Sequence, residues 1–219
     1  MPHGSSKSWA SGSPHAATTS RGLGDTVTVI GLSVGGAIGG CIAQRRPDVF
    51  RVVLVAPALA PGRIGVGSPD ETRAITELLG RLPSVTRASA PDTTRPDFVQ
   101  GISTRGLTEV MKLGSLVRLD AEQSSSRVAR IVVLLNENDD TVSGEASVAL
   151  AKLWSESSSL VLLYQFPAAL GLPHNLMEST RRGGNPEIVY PVLQALAQGV
   201  APPDVVRFDW LNCTSPGCR

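Results

Sequence analysis

The sequence has almost no net charge: 20 Lys and Arg stand against 19 Asp and Glu, a formal +1 over 219 residues. It therefore carries no electrostatic footprint for nucleic acid or an anionic membrane surface, and neutral partners are expected. Cysteine is scarce too. Cys41 in an apolar run and Cys213 and Cys218 in a polar tail do not make a disulfide framework, so reduced thiols are expected. No His-Glu-x-x-His occurs, and Cys213-x4-Cys218 has neither a nearby histidine nor a second cysteine pair, so no metal is expected. Asp120 and Glu122 lie in a polar stretch with nothing to mark a sugar site, and read as solvated surface acids. No apolar stretch precedes Asp25, which argues against a secretory signal, and no internal repeat is visible. Residues 1–24 lack acids and are rich in Ser, Gly, Ala and Thr. They read as a disordered or vestigial start, or alternatively as an organelle transit peptide; a cytoplasmic protein is the expectation otherwise.

What is present is an ordinary globular composition, 42% hydrophobic and 18% charged, enough for one sizeable core. The one uncharged run near spanning length, 26–44, contains Ser33 and five glycines, and its front half is a β-branched strand pattern. It has the look of a span to a hydropathy scan, yet no membrane crossing is expected. The pattern predicts a strand at 26–30 ending at Gly31, a helix over 34–46 closed by Pro47, and a second strand at 51–56. That is a right-handed parallel βαβ unit. Residues 62–126 change character, with amphipathic helices predicted at 69–79 and 107–119, and read as a small helical cap insertion over a sheet edge. The β pattern returns at 130–135, then a helix at about 144–154, a last strand at 160–166, a loop to 175 and a closing helix at 186–198. Pro202 and Pro203 are expected to end ordered packing, leaving 201–219 as a C-terminal tail. Continuous apolar strands alternating with helices indicate an α/β fold, a mostly parallel sheet with flanking helices, in a domain over 25–200. Ligands then gather at the strands' C-terminal ends.

Gly31-Leu32-Ser33-Val34-Gly35 sits at the first strand-to-helix junction. A serine hydroxyl is a poor nucleophile at neutral pH; it needs a base for its proton and donors for the oxyanion formed on attack at a carbonyl. A sharp Gly-x-Ser-x-Gly turn lifts the serine out of the sheet, both glycines leaving room for close backbone approach, and aims the backbone N–H of Val34 at the oxyanion. A dinucleotide fingerprint fits poorly, since Ser33 stands where the second glycine should let pyrophosphate approach. Three acids, Glu137, Asp139 and Asp140, follow the 130–135 strand. Any of them could orient a histidine, or merely cap the next helix. Of three histidines, His3 and His15 lie in the N-terminal segment and only His174 follows the last strand. The order Ser33, Asp139, His174 is the nucleophile, acid, base order of one large hydrolase class. The roles expected of them are Ser33 nucleophile, His174 general base then acid, and Asp139 holding the imidazole.

With these residues in view, the chain resembles the α/β-hydrolase superfamily, in its bacterial esterase and monoacylglycerol-lipase-like branch. Residues 29–37, 53–59, 136–142 and 166–175 carry the resemblance. Asp139 rather than Asp140 has the register usual in such hydrolases, with Val142 three residues on. The resemblance implies carboxylic ester hydrolysis without a cofactor, on a small-molecule ester or acyl substrate, under a helical cap. It departs at the N-terminus, where such proteins usually have four strands and a His-Gly-type oxyanion loop. His3-Gly4-Ser5-Ser6 resembles that loop only faintly, so the chain looks like a hydrolase lacking its N-terminal strands. Two further expectations follow: impaired activity for want of a second oxyanion donor, and an open sheet edge able to self-associate. The competing expectation is a catalytically inactive remnant acting as an interaction protein.

Overall fold

The computed structural model describes residues 24–62, 69–88, 101–156, 160–179 and 183–209. The expectations on residues 1–23, on Cys213 and on Cys218 lie outside them. A five-stranded sheet runs in the order β1 (Thr28–Leu32), β2 (Arg51–Val55), β5 (Arg130–Asn136), β6 (Leu160–Phe166), β7 (Arg207–Asp209). The first four are parallel and β7 is antiparallel to β6, so the sheet is mostly parallel with helices on both faces, as the apolar strand runs require.

Alternation along the central strands sorts the core. Val52, Leu54, Ile131, Val133 and Leu135 point to one face, where they meet α1 (Val34–Arg45) and Trp154 of α4 (Gly144–Glu156). Val53, Val55, Val132 and Leu134 point to the other, against Val189, Val192 and Leu196 of α5 (Pro186–Gln198). The α5 ends are written locally: Asn185 accepts from the N–H of Ile188, Pro186 opens the helix and Gly199 closes it at φ 77°.

Several expectations need correction. The first strand runs through Gly31 to Leu32 instead of stopping before Gly31, because Gly31 and Leu32 pair with Leu54 and Val55. Ordered packing does not end at Pro202 and Pro203, and 201–219 is not all tail. Val206 is buried in the core and β7 follows, Phe208 packing on Tyr164 with ring centroids 4.9 Å apart. The segment 62–126 holds α2 (Pro69–Arg81), a short antiparallel pair β3 (Thr86–Ala88) and β4 (Gly101–Ser103), and α3 (Thr104–Gln123). Helix α3 starts earlier than its apolar pattern because Ser103 caps it, accepting from the N–H of Gly106. Its later turns belong to the sheet-covering layer rather than lying over an edge: Met111, Val117 and Ala121 are buried, Val117 against Gly40 of α1, and Asp120 pairs with Arg45 at 2.6 Å.

The uncharged run 26–44 is divided between β1 and α1. Among the described residues no helix is long and apolar enough to cross a membrane. Among them, too, β1 is hydrogen-bonded on one side only, to β2. Ile30, Val34 and Ile38 are exposed large apolar residues on or next to that edge strand.

Candidate active site

Three loops meet where β1, β5 and β6 end. The first is a single residue. Ser33 joins β1 to α1 with φ 57° and ψ −117°, a region that costs a non-glycine residue and survives only where surrounding bonds hold it. Those bonds are present. The Ser33 N–H donates to the carbonyl of Val55 at 2.9 Å, and its own carbonyl accepts from the N–H groups of Ala37 and Ala58. The turn also relies on Gly31, where a Cβ would collide with the backbone carbonyl of Gly35. At Gly36 a Cβ would come within 2.9 Å of Pro57. Gly35 does not share this role: a Cβ there meets nothing within 4 Å, which corrects the equal weight given to both glycines of the pentapeptide.

The second loop follows β5 and carries the three acids, whose side chains diverge. Asp139 is nearly inaccessible, its side chain 4% exposed, and one carboxylate oxygen accepts from the N–H groups of Thr141 and Val142. Its other oxygen lies 2.7 Å from Nδ1 of His174. Asp140 is exposed and accepts from the Thr141 hydroxyl instead. Glu137 accepts from the N–H of Ala168 and pairs with Arg207 of β7 at 3.0 Å.

The third loop follows β6 and presents His174, whose Nε2 is 2.9 Å from the Ser33 hydroxyl oxygen. A carboxylate can only accept, so Nδ1 of the neutral ring must carry the proton toward Asp139, leaving Nε2 to accept from the Ser33 O–H. Ser33, His174 and Asp139 are thus brought together in one hydrogen-bonded chain. Such a chain can draw a proton from the hydroxyl onto the ring and hold the resulting imidazolium. The N–H of Val34 opens α1 beside Ser33, and the first N–H groups of a helix have no acceptor within it.

Among the described residues no group of three or more His, Cys, Asp or Glu side chains could hold a metal ion. A cleft of about 590 Å³ opens behind the acid, lined by Glu137, Asp139, Glu145 and Lys152 among others, but neither Ser33 nor His174 lines it. It is not where a substrate would meet the hydroxyl. One polar residue of the site escaped sequence reading. Asn136, the last residue of β5, is buried, and its side-chain amide donates to the carbonyls of Leu172 and Pro173. Its only local signal is a polar side chain closing an apolar strand.

The fold is that of the α/β-hydrolases. Solved structures of lipases and esterases share it. A monoacylglycerol lipase from Paleococcus ferrophilus aligns with a TM-score of 0.56 at 20% identity, over 85% of this chain and 72% of that one. A soluble variant of monoglyceride lipase from Saccharomyces cerevisiae, in complex with a substrate analogue, aligns at 0.57 and 14% identity, over 87% and 66%. A thermostable carboxyl esterase from Bacillus coagulans aligns at 0.51 and 13% identity, over 87% and 68%. At such identities the likeness is one of fold. No protein-family model and no curated protein matches the sequence.

Proposed function

We propose that the chain is a serine hydrolase of carboxylic esters, working through an acyl-Ser33 intermediate. The observation that carries this is the chain of contacts from Ser33 Oγ through His174 to the Asp139 carboxylate. In this reading the Ser33 proton passes to His174 Nε2 as Oγ bonds to the ester carbonyl carbon, and the oxyanion is met by the Val34 N–H. The imidazolium then gives its proton to the departing alcohol oxygen, leaving Ser33 acylated. Water attacks the acyl carbon with His174 as base, and collapse releases the acid and returns the proton to Ser33. Asp139 holds the ring in the required tautomer throughout. The lipase and esterase neighbours support a small-molecule ester or acyl substrate, and the triad chemistry calls on no cofactor.

The oxyanion side sets the expected rate. Among the described residues Val34 is the donor placed for the oxyanion, and one oxyanion donor is worth about 2.7–4 kcal/mol of transition-state stabilisation in such hydrolases. The decisive experiment is labelling by a fluorophosphonate, which needs the nucleophile and its base: intact protein should be labelled at Ser33, and Ser33→Ala should take none. Folded protein that stays unlabelled at Ser33 removes the proposal. It would then favour the second reading, an inactive hydrolase acting as an interaction protein, whose one specific support is the single-sided pairing of β1 among the described strands.

A further inference from the structure

We infer that Asn136 is a positioning residue: its buried side-chain amide sets the peptide that carries His174, and thereby holds the imidazole between Asp139 and Ser33. The inference rests on the reading of His174 as base and Asp139 as acid, and adds to it what fixes their separation.

The problem it solves is geometric. Asp139 and His174 sit on different loops, each beyond the end of its strand, yet their contact is 2.7 Å. Strands β5 and β6 pair up to Asn136 and Phe166, so the two loops leave the sheet side by side. Past that point the ladder gives way to side chains from one loop gripping the backbone of the other. Asn136 Nδ2 donates to the carbonyl of Leu172 at 2.8 Å and to that of Pro173 at 3.2 Å. The Pro173 carbonyl belongs to the peptide immediately preceding His174, so this bond fixes the plane from which the histidine side chain departs.

The same amide reads the acid loop with its other end. Asn136 Oδ1 accepts from the N–H of Asn138, and the Asn136 carbonyl accepts from the N–H of Asp139. Further along, Glu137 accepts from the N–H of Ala168 and Asn138 donates to the carbonyl of Ala168, both from exposed positions. Asn136 differs from them in being buried, at 7% exposure, so that losing it leaves the buried Leu172 carbonyl without its donor. Leu172, 1% exposed, anchors the loop in the core, but an apolar anchor does not specify how its peptide is turned. The amide supplies that direction.

The test reads the His174 ring directly, so that it does not depend on turnover. In uniformly ¹⁵N-labelled wild-type protein at neutral pH, the Nδ1–H of His174 should give a protected, downfield proton line assigned by its absence in His174→Gln. In Asn136→Leu, close in shape but with no donor, that line should be lost below the melting temperature. Labelling of Ser33 by the fluorophosphonate should slow by about a hundredfold, the scale of a roughly 1 Å misplacement. Asn136→Ala, which admits water beside the carbonyls, serves if the leucine variant does not fold and should act in the same direction. Leu150→Ala, a buried cavity on the far face of the sheet, is the control: it should lower the melting temperature yet keep the His174 line. A His174 line unchanged in a folded Asn136 variant, or absent from the wild type, overturns the inference. If the line behaves as expected while wild-type Ser33 takes no label, the hydrolase reading fails and the positioning role stands.

Discussion

The two glycines flanking Ser33 should respond in opposite ways to one added methyl group. A Cβ at Gly31 is directed into the carbonyl of Gly35 and comes within 2.8 Å of the Gly36 nitrogen, and both belong to the first turn of α1. Backbone held by helical hydrogen bonds cannot rotate aside as a side-chain end can, so Gly31→Ala must push the helix off the strand or distort the turn. Overpacking of this kind costs about 1–3 kcal/mol, which in a domain of this size lowers Tm by roughly 2–12 °C. At Gly35 no atom lies within 4 Å of the added carbon and φ is not positive. Alanine there removes unfolded-state freedom worth about 0.4–1 kcal/mol, so Gly35→Ala should hold Tm or raise it by up to roughly 4 °C. The two variants should separate in function as well. Displacement of Ser33 in Gly31→Ala should slow fluorophosphonate labelling by about a hundredfold, while Gly35→Ala keeps the wild-type rate. Thermal melts and labelling time courses on the two proteins decide the matter. A Gly31→Ala protein that melts and labels like wild type, or a Gly35→Ala protein that is the damaged one, would refute the reasoning about this turn.

Three other predictions concern the scaffold. Arg51 is buried and its guanidinium donates to the carbonyl of Ala197 near the end of α5, so Arg51→Met should lower stability by about 1.5–3 kcal/mol in urea titration, the range for a hydrogen bond from a charged donor; an unchanged midpoint would contradict it. Burial pushes the Cys41 thiol above its ordinary pKa, Arg45 opposing and Asp120 adding to the rise. The thiolate is the reactive form, so in a Cys213→Ser, Cys218→Ser background Cys41 should react with a disulfide reagent more slowly than a free thiol near pH 8 and speed up as pH rises. A reaction as fast as that of a free thiol at pH 7 would show the assignment wrong. The edge strand β1 exposes Ile30 at 43% beside backbone groups that no described strand pairs, so the wild-type protein should self-associate at high concentration and Ile30→Lys should not, as read by sedimentation velocity. A wild-type protein monomeric throughout would remove this expectation.

Legibility in the sequence followed how local each feature's cause is. Strands β2 and β5 are apolar on both faces because helices cover both, and that leaves an unbroken run of Val and Leu in each, joined by Ile131 in β5. The turn at Ser33 was legible because strand, turn and helix are contiguous and each has its own pattern. That Asp139 and His174 would come close together was legible because each follows an apolar strand directly, and in a parallel sheet the loops after neighbouring strands open at the same end. Strand β7 was not legible. Three residues past two prolines have no pattern of their own, and what makes them a strand is the edge of β6 and the face of Tyr164. The later turns of α3 carry an amphipathic pattern, but nothing in that pattern says whether the apolar side meets α1 or lies in a cap.

Asn136 marks the limit of such reading more sharply, because its neighbours in sequence do not reveal its partners. Its bonds run to carbonyls 36 and 37 residues away, and a carbonyl is the same group whatever residue bears it. Side-chain recognition of backbone therefore leaves a trace at one end only, here a single polar residue among apolar ones. The proposed triad is found more easily, since all three of its members are side chains with distinct chemistry. Ser33, His174 and Asp139 can be singled out by residue type and order, whereas the bonds that hold them at 2.7 and 2.9 Å become visible only when the two loops are seen together. It follows that a sequence keeping Ser33, Asp139 and His174 but replacing Asn136 with an apolar residue would still read as an intact triad. The misplacement expected in the Asn136→Leu protein would be its hidden defect.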